Sequence, residues 1–438
     1  MSDGAAARRA SPRSQLERCL TGALRAVDAE QATAAALTRD GARLRVAGRA
    51  IPDDSELVVL AAGKAAAAMA RAVEARAGDR VRSGLVVTKD GHGLPLAQLP
   101  VRETAHPVPD ARGVGAAQEA LALVAGARAE DTLLLLLSGG ASALWTAPLP
   151  GLELGDLVAT TEALLACGAD IEEINCVRKH LSLLTGGRLV QEARCNRVEV
   201  LAVSDVPGDR VEVIGSGPAA ADPTRYADAL AVLERRGIEE RVPGAVREHL
   251  ERGVRGERPE SLKPGARELA RVRHTVIACN ADARRAAVES GRSLGLSALD
   301  LGEILRGEAR VVGRRLAGVA RCTVGAGPTL LVAGGETTVT LRGRGRGGRS
   351  QELALAAALE LRGEPRAALL AAGTDGSDGP TDAAGAFADG GTVARSDQDA
   401  AAALAHNDAY GFFDAEGGLL RTGPTQTNVM DLVLVFAG

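Results

Sequence analysis

Lys64 follows the apolar run 57–61 and precedes the alanine-rich stretch 65–77. A strand, a Gly63-Lys64 turn and a strong helix former in series place a lysine near a helix N-terminus. There the backbone N–H groups and the helix dipole favour an anion, and the ammonium adds a full charge for a phosphate or carboxylate. The stretch is not a P-loop, which requires glycine where Val58 stands and a hydroxyl residue where Ala65 stands. A lysine snorkelling from the first helical turn is the competing reading. A second loop, SGGAS (138–142), follows the leucine run 133–137. Gly139 and Gly140 let the backbone approach a ligand closely, and Ser138 and Ser142 add hydroxyl donors, as a phosphate-cradling loop requires.

INCVRKHLSLLTGGRL (174–189) reads as helical up to Gly186, with Ile174, Val177, Leu181 and Leu184 on one stripe. Arg178 and Lys179 project elsewhere, either to clamp a carboxylate or phosphate or as a solvated face. In SDVPGD (204–209), Asp205 can accept a proton from a hydroxyl nucleophile, bind magnesium, or simply form a turn. Further on come GGET (334–337), with Glu336, and RGRGRGGR (342–349), which precedes a helix starting near Ser350. An RNA-binding RGG reading fails, because the segment is short and the chain is acidic. The loop instead places one guanidinium, Arg349, at a helix N-terminus, where it can neutralise charge on a transferring phosphoryl group. TDGSDGPTDAAG (374–385) supplies Asp375, Asp378 and Asp382. Its spacing is not that of an EF-hand, but carboxylates in such a loop can hold magnesium, alone or through phosphates. HNDAY (406–410) and GPTQTN (423–428) are polar loops suited to line the same site.

These residues need strands to carry them. Continuous apolar runs occur at 57–61, 85–87, 133–137, 198–203, 275–278, 329–332, 367–371 and 432–436. Runs without alternation mark strands buried on both faces, and helical stretches between them imply βαβ units. A first helix is expected over 15–37. The charge-rich, proline-containing segment 237–270 reads as a helix and linker, which divides the 438 residues into domains at 12–250 and 268–438. The net charge of −4 and the 2% aromatic content give no basis for nucleic-acid binding. No run is long and apolar enough to span a membrane, and the N-terminus, read as a frayed tail, has no secretory h-region. The six cysteines form no Cys-x-x-Cys, as expected of a reducing, cytoplasmic setting. Cys176 and His180 lie four apart on a helix but have no second pair to complete a metal site. Only four of the 52 basic residues are lysines, and Lys64, Lys89 and Lys179 all fall within motifs.

Taken in order, AAGKAA (61–66), TKDGHG (88–93), HPVPD (106–110), SGGASAL (138–144), INCVRKHLS (174–182), SDVPGD (204–209), IGSGP (214–218), GGETTV (334–339), GGRSQE (347–352), AAGTDGSDGPTDAAG (371–385) and NVMDL (428–432) resemble the glycerate 2-kinase family, whose C-terminal part is the MOFRL domain. The resemblance runs from about residue 15 to the last residue. It implies two α/β domains, the N-terminal one Rossmann-like with a mostly parallel sheet, and an active site in the interdomain cleft. It implies transfer of the γ-phosphoryl group of ATP to the 2-hydroxyl of D-glycerate with Mg²⁺, by a monomer or homodimer. The family's essential lysine and arginine fall on Lys64 and Arg349, and its acidic site residues on Asp205 and Asp375. The expected site is therefore Lys64, Asp205 and Arg349 for catalysis, with Ser138, Gly139, Gly140, Ser142, Arg178, Lys179, Glu336 and Asp375 for substrate and phosphate. Asp375 and Asp378 are the expected metal ligands. Ser350 and Cys176 stand where Asn and Thr are expected, without a change of charge. An NAD(P)-dependent hydroxypyruvate reductase is the alternative, disfavoured because no strand runs into Gly-x-Gly-x-x-Gly with an acidic residue about 20 positions on.

Overall fold

The structure, a computed structural model, describes residues 11–41 and 43–438. Of the expected N-terminal tail, residues 1–10 lie outside the described residues, whereas Ser11 caps and residues 12–14 open the first helix. The chain divides into two compact units, one formed by Ala29–Ile277 and the other by Ala278–Gly438 together with the residues through Asp28.

All eight apolar runs form strands. In the Ala29–Ile277 unit the strands Val101–Thr104, Val81–Lys89, Leu57–Ala62, Thr132–Leu137, Arg197–Val203 and Val272–Ala278 lie in that spatial order in one sheet. The first five pair in parallel. Numbered along the chain, those five run 3-2-1-4-5, the doubly wound order. The order reverses between Leu57–Ala62 and Thr132–Leu137, every residue of which is buried. A ligand crevice forms beyond the carboxyl ends of such a strand pair. Leu60, Leu133, Leu135, Val200 and Trp145 fill the core beside this sheet. The helices Leu154–Ala166, Ile171–Lys179, Tyr226–Arg236 and Gly244–Val254 share a second core around Leu164, Val177, Tyr226 and Leu250.

The sheet of the other unit is mostly antiparallel. Its order is Ser297–Asp300, Thr329–Gly335, Asp431–Ala437, Ala367–Gly373, Gly385–Asp389 and Leu419–Leu420, and only the first pair is parallel. The last strand inserts antiparallel between two earlier ones. Its first residue, Asp431, therefore pairs with both Gly335 and Gly373, at the carboxyl ends of its neighbours.

Three expectations differ from what is observed. The first helix breaks at Val27 into Pro12–Ala26 and Ala29–Ala36, followed by the short strand Leu37–Asp40. Pro12–Ala26 packs on Asn280–Ser293, with Gly22 facing Ser290, so residues expected in a 12–250 domain belong with the C-terminal unit. The segment expected to open the domain at 268 instead supplies Val272–Ala278, the edge strand of the first sheet. The helix expected to reach Gly186 ends at Lys179, and Ser182 then bridges Pro148. Among the described residues no helix is long and apolar enough to cross a membrane, and all six cysteines are free.

Candidate active site

At the switch point of the parallel sheet the two strand-end turns are bonded to each other. Lys64 N–H donates to Gly139 O at 2.9 Å, and Ala65 N–H donates to Ser138 Oγ at 3.0 Å. The imidazole Nδ1 of buried His92 lies 3.2 Å from Lys64 O. Lys64 thus sits two residues before the helix Ala66–Ala77, as its sequence context predicts. Gly63 has φ +128°, a conformation side chains rarely adopt, and a Cβ there would stand 2.2 Å from Ser138 Oγ and 2.4 Å from Ser138 O. Gly63→Ala should combine backbone strain of about 1–3 kcal/mol with a similar overpacking cost. Urea unfolding should register that loss, and an unchanged midpoint would show that the turn tolerates a side chain.

Gly140 lies beside His106 and the Lys64 side chain, and a Cβ on it would be 3.1 Å from the imidazole and 3.5 Å from Lys64 Cγ. Ser142 Oγ is 2.7 Å from Ser216 Oγ, and Ser216 Oγ donates to Asn175 Oδ1 at 3.2 Å. Arg178 Nη2 donates to Ser142 O at 3.0 Å. SGGAS is therefore more tightly bound into the protein than a loop that only cradles phosphate: Ser138 and Gly139 lock the lysine turn. Asp205, partly exposed, follows the strand Arg197–Val203, and Ser204 Oγ accepts from Val206 N–H at 3.3 Å to shape the turn behind it.

Lys179 is placed elsewhere. It is buried and pairs with buried Asp222 at 3.6 Å, while His180 Nε2 lies 3.3 Å from Glu260 Oε2. Burial opposes the charge on Asp222, but Lys179 and the hydroxyls of Thr224 and Ser261 hold its carboxyl below the usual range. The expected Arg178–Lys179 clamp is thus divided. Successive helical residues point about 100° apart, and only Arg178 faces the SGGAS loop.

In the second unit Arg349 opens the helix Arg349–Leu361. Its Nε donates to Asp431 Oδ2 at 2.6 Å and its Nη2 to Asp431 Oδ1 at 2.9 Å, while Nη1 pairs with Glu336. Burial alone would lower the guanidinium pKa; the Asp431 carboxylate, helped by Glu336, more than offsets it and raises the pKa above its ordinary value. Glu336 is exposed and so reaches both Arg349 and solvent. Buried Asp375 accepts Ser377 N–H and Oγ–H on Oδ1, at 2.9 and 3.1 Å. A Cβ on Gly373 would lie 3.4 Å from that oxygen and 3.6 Å from Asp431 Oδ1, so both carboxylates flank one glycine.

Asp378 caps the helix. Its two oxygens accept Ser350 N–H at 3.0 Å and Gln351 N–H at 2.8 Å. Burial, with the Asp431 charge acting in the same direction, raises its pKa to about 7. A buried carboxyl with both oxygens on backbone donors does not fit the metal ligand expected at Asp378. Among the described residues no three His, Cys, Asp or Glu side chains gather to hold a metal ion. The Arg/Gly loop is held by Asn407 and Asp408: Asn407 Oδ1 accepts Arg342 N–H at 2.6 Å, and Asp408 Oδ1 accepts Arg346 N–H at 3.0 Å. The Arg346 guanidinium stacks 4.5 Å from the Tyr410 ring centroid, and Arg344 is exposed. Sequence reasoning gave no role to Asp431, although a charge heading an otherwise apolar run was a visible signal. Ser216, Asn175 and Thr185 were also unassigned.

Two families match the chain: one described as a domain of unknown function (DUF4147) over residues 15–251, and the MOFRL family over 329–431. A glycerate 2-kinase from Pyrococcus horikoshii is 40% identical, with 94% of each chain covered. A D-glycerate 2-kinase from Thermotoga maritima is 41% identical over 86% of this chain and 90% of its own. A putative hydroxypyruvate reductase from Agrobacterium vitis is 41% identical over 87% of each. The crystal structure of glycerate kinase from Thermotoga maritima superposes with a TM-score of 0.82 at 37% identity, covering 98% of this chain and 100% of that one.

Proposed function

This chain belongs to the glycerate 2-kinase family, and from that membership we propose that it passes the γ-phosphoryl group of ATP to the 2-hydroxyl of D-glycerate. The observation that carries the reading is the lysine turn at the switch point of the parallel sheet, where Lys64 is fixed by Gly139 and Ser138. Lys64 meets the phosphate charge. Asp205 accepts the proton of the 2-hydroxyl as its oxygen bonds to phosphorus and the bond to the β-phosphate oxygen breaks, releasing ADP. In the other unit Arg349, held by Asp431 and Glu336, keeps two N–H groups with which to bond phosphate oxygens. Phosphoryl transfer asks little covalent chemistry of a protein, so positioned charge supplies most of the catalysis.

Magnesium, which would neutralise phosphate charge, is usually carried on the nucleotide with one or two carboxylates. Asp375 suits that contact; Asp378, as a helix cap, does not. Lys179 acts through its buried pair with Asp222, stabilising the helix that carries Arg178.

The test is an assay with ATP, magnesium and a panel of short hydroxy acids, following ADP and NADH in parallel. ADP formation dependent on D-glycerate is expected, with 2-phosphoglycerate as product. Oxidation of NADH by hydroxypyruvate with no ADP from glycerate would replace this reading with the reductase activity named for the Agrobacterium vitis relative.

A further inference from the structure

We propose that Arg178 and Thr185 are the donors of a pocket that takes the carboxylate of a short 2-hydroxy acid. The proposal rests on the phosphotransferase reading and names the substrate subsite within it.

The pocket lies wholly within the Ala29–Ile277 unit and encloses about 40 Å³. A water-sized guest needs about 10–15 Å³. The space therefore has room for a small polar group such as a carboxylate. Pro107, Pro109 and Leu157 line its apolar side.

The polar side presents donors without an acceptor. Among the described residues the Arg178 guanidinium bonds one carbonyl, Ser142 O, and pairs with no carboxylate. Burial alone lowers its pKa, with no neighbouring charge opposing the shift. Arg178 is half-buried, and a partly desolvated cation without an anion is costly, so such a group suits a partner that arrives from outside. Thr185 is 6% exposed, and its hydroxyl has no partner. The five other hydroxyls of the lining already have partners: Ser142 bonds Ser216, Ser216 donates to Asn175, Thr146 donates to Ser142 O, Thr161 donates to Leu157 O, and Ser182 accepts Leu184 N–H. The guanidinium and the Thr185 hydroxyl thus remain to meet two carboxylate oxygens. The loop 138–142 connects this pocket to the lysine turn, since Gly139 holds Lys64 and Ser142 holds Arg178.

Steady-state kinetics with D-glycerate and ATP, calorimetric titration with D-glycerate and thermal unfolding test the proposal on Arg178→Gln, Arg178→Lys and Thr185→Val. Arg178→Gln should raise KM for D-glycerate by about 10²-fold or more, since an unmet buried polar partner is what such sites discriminate by. KM for ATP should stay within about two-fold, and Arg178→Lys should recover part of the loss. Thr185→Val should cost about five- to ten-fold, as one neutral hydrogen bond does. The unfolding midpoint of Arg178→Gln should hold or rise, because a partly buried charge without an anionic partner has been removed. A lower midpoint with both KM values unchanged would make Arg178 structural and overturn the proposal, as would a rise confined to the KM for ATP. If the unaltered protein forms no ADP from D-glycerate yet binds it in an Arg178-dependent way, the phosphotransfer reading fails and the subsite stands. ADP formation indifferent to Arg178→Gln is the reverse outcome.

Discussion

Arg349→Lys is expected to lower kcat by about 10²–10³-fold although it keeps the charge, because the planar fork and not the charge alone does the positioning. Three guanidinium nitrogens already bond carboxylates, Nε and Nη2 to Asp431 and Nη1 to Glu336. That fixes the plane of the group and leaves one N–H on each terminal nitrogen. A lysine ammonium cannot satisfy a bidentate carboxylate and a second carboxylate while aiming two further donors. The same loop contains its controls. Arg346 lies over Tyr410 and Arg344 faces solvent, so alanine at either should change kcat only a few-fold. Comparable losses at all three positions would mean that the loop supplies a diffuse positive field. Full activity in Arg349→Lys would remove the fork from the mechanism. Unfolding curves on the same variants separate lost catalysis from loss of the ion pair with buried Asp431.

Asp205→Asn is expected to lower kcat by roughly 10²–10⁴-fold with little change in KM, the effect of removing a general base that acts mainly in the transition state. The residue sits just past the carboxyl end of Arg197–Val203, two strands from the lysine turn, in a loop shaped by the Ser204 hydroxyl. The amide keeps the size of the side chain and removes its charge and its capacity to take a proton. An unchanged kcat would leave Asp205 as a turn residue and move the base to another carboxylate.

The sequence by itself determined most of the strands that run through the centre of each unit and the residues at their ends, but not Gly385–Asp389, which pairs on both sides. A run such as 133–137 is apolar at every position because both faces are covered, and that constraint is local enough to read directly. For the same reason Lys64 was placed correctly: a strand, a glycine with positive φ and an alanine-rich helix admit one arrangement of the turn. Short edge elements escaped. Leu37–Asp40, Ser297–Asp300 and Leu419–Leu420 are too brief to show a period, and they exist because a neighbouring strand pairs with them.

Tertiary structure decided which charges point where. Arg178 and Lys179 are adjacent in sequence and equal in charge, yet one turns toward Ser142 and the other to Asp222, a residue 43 positions away that pairs with it only once the helices have packed. Asp378 looked like its loop-mate Asp375, but the fold brings the N-terminus of Arg349–Leu361 onto it and makes it a cap. Asp431 reaches Arg349 because the last strand enters antiparallel, which carries its first residue to the edge where its neighbours end. Strand direction is set by the order in which distant segments pack, and a list of residue types along the chain does not contain it.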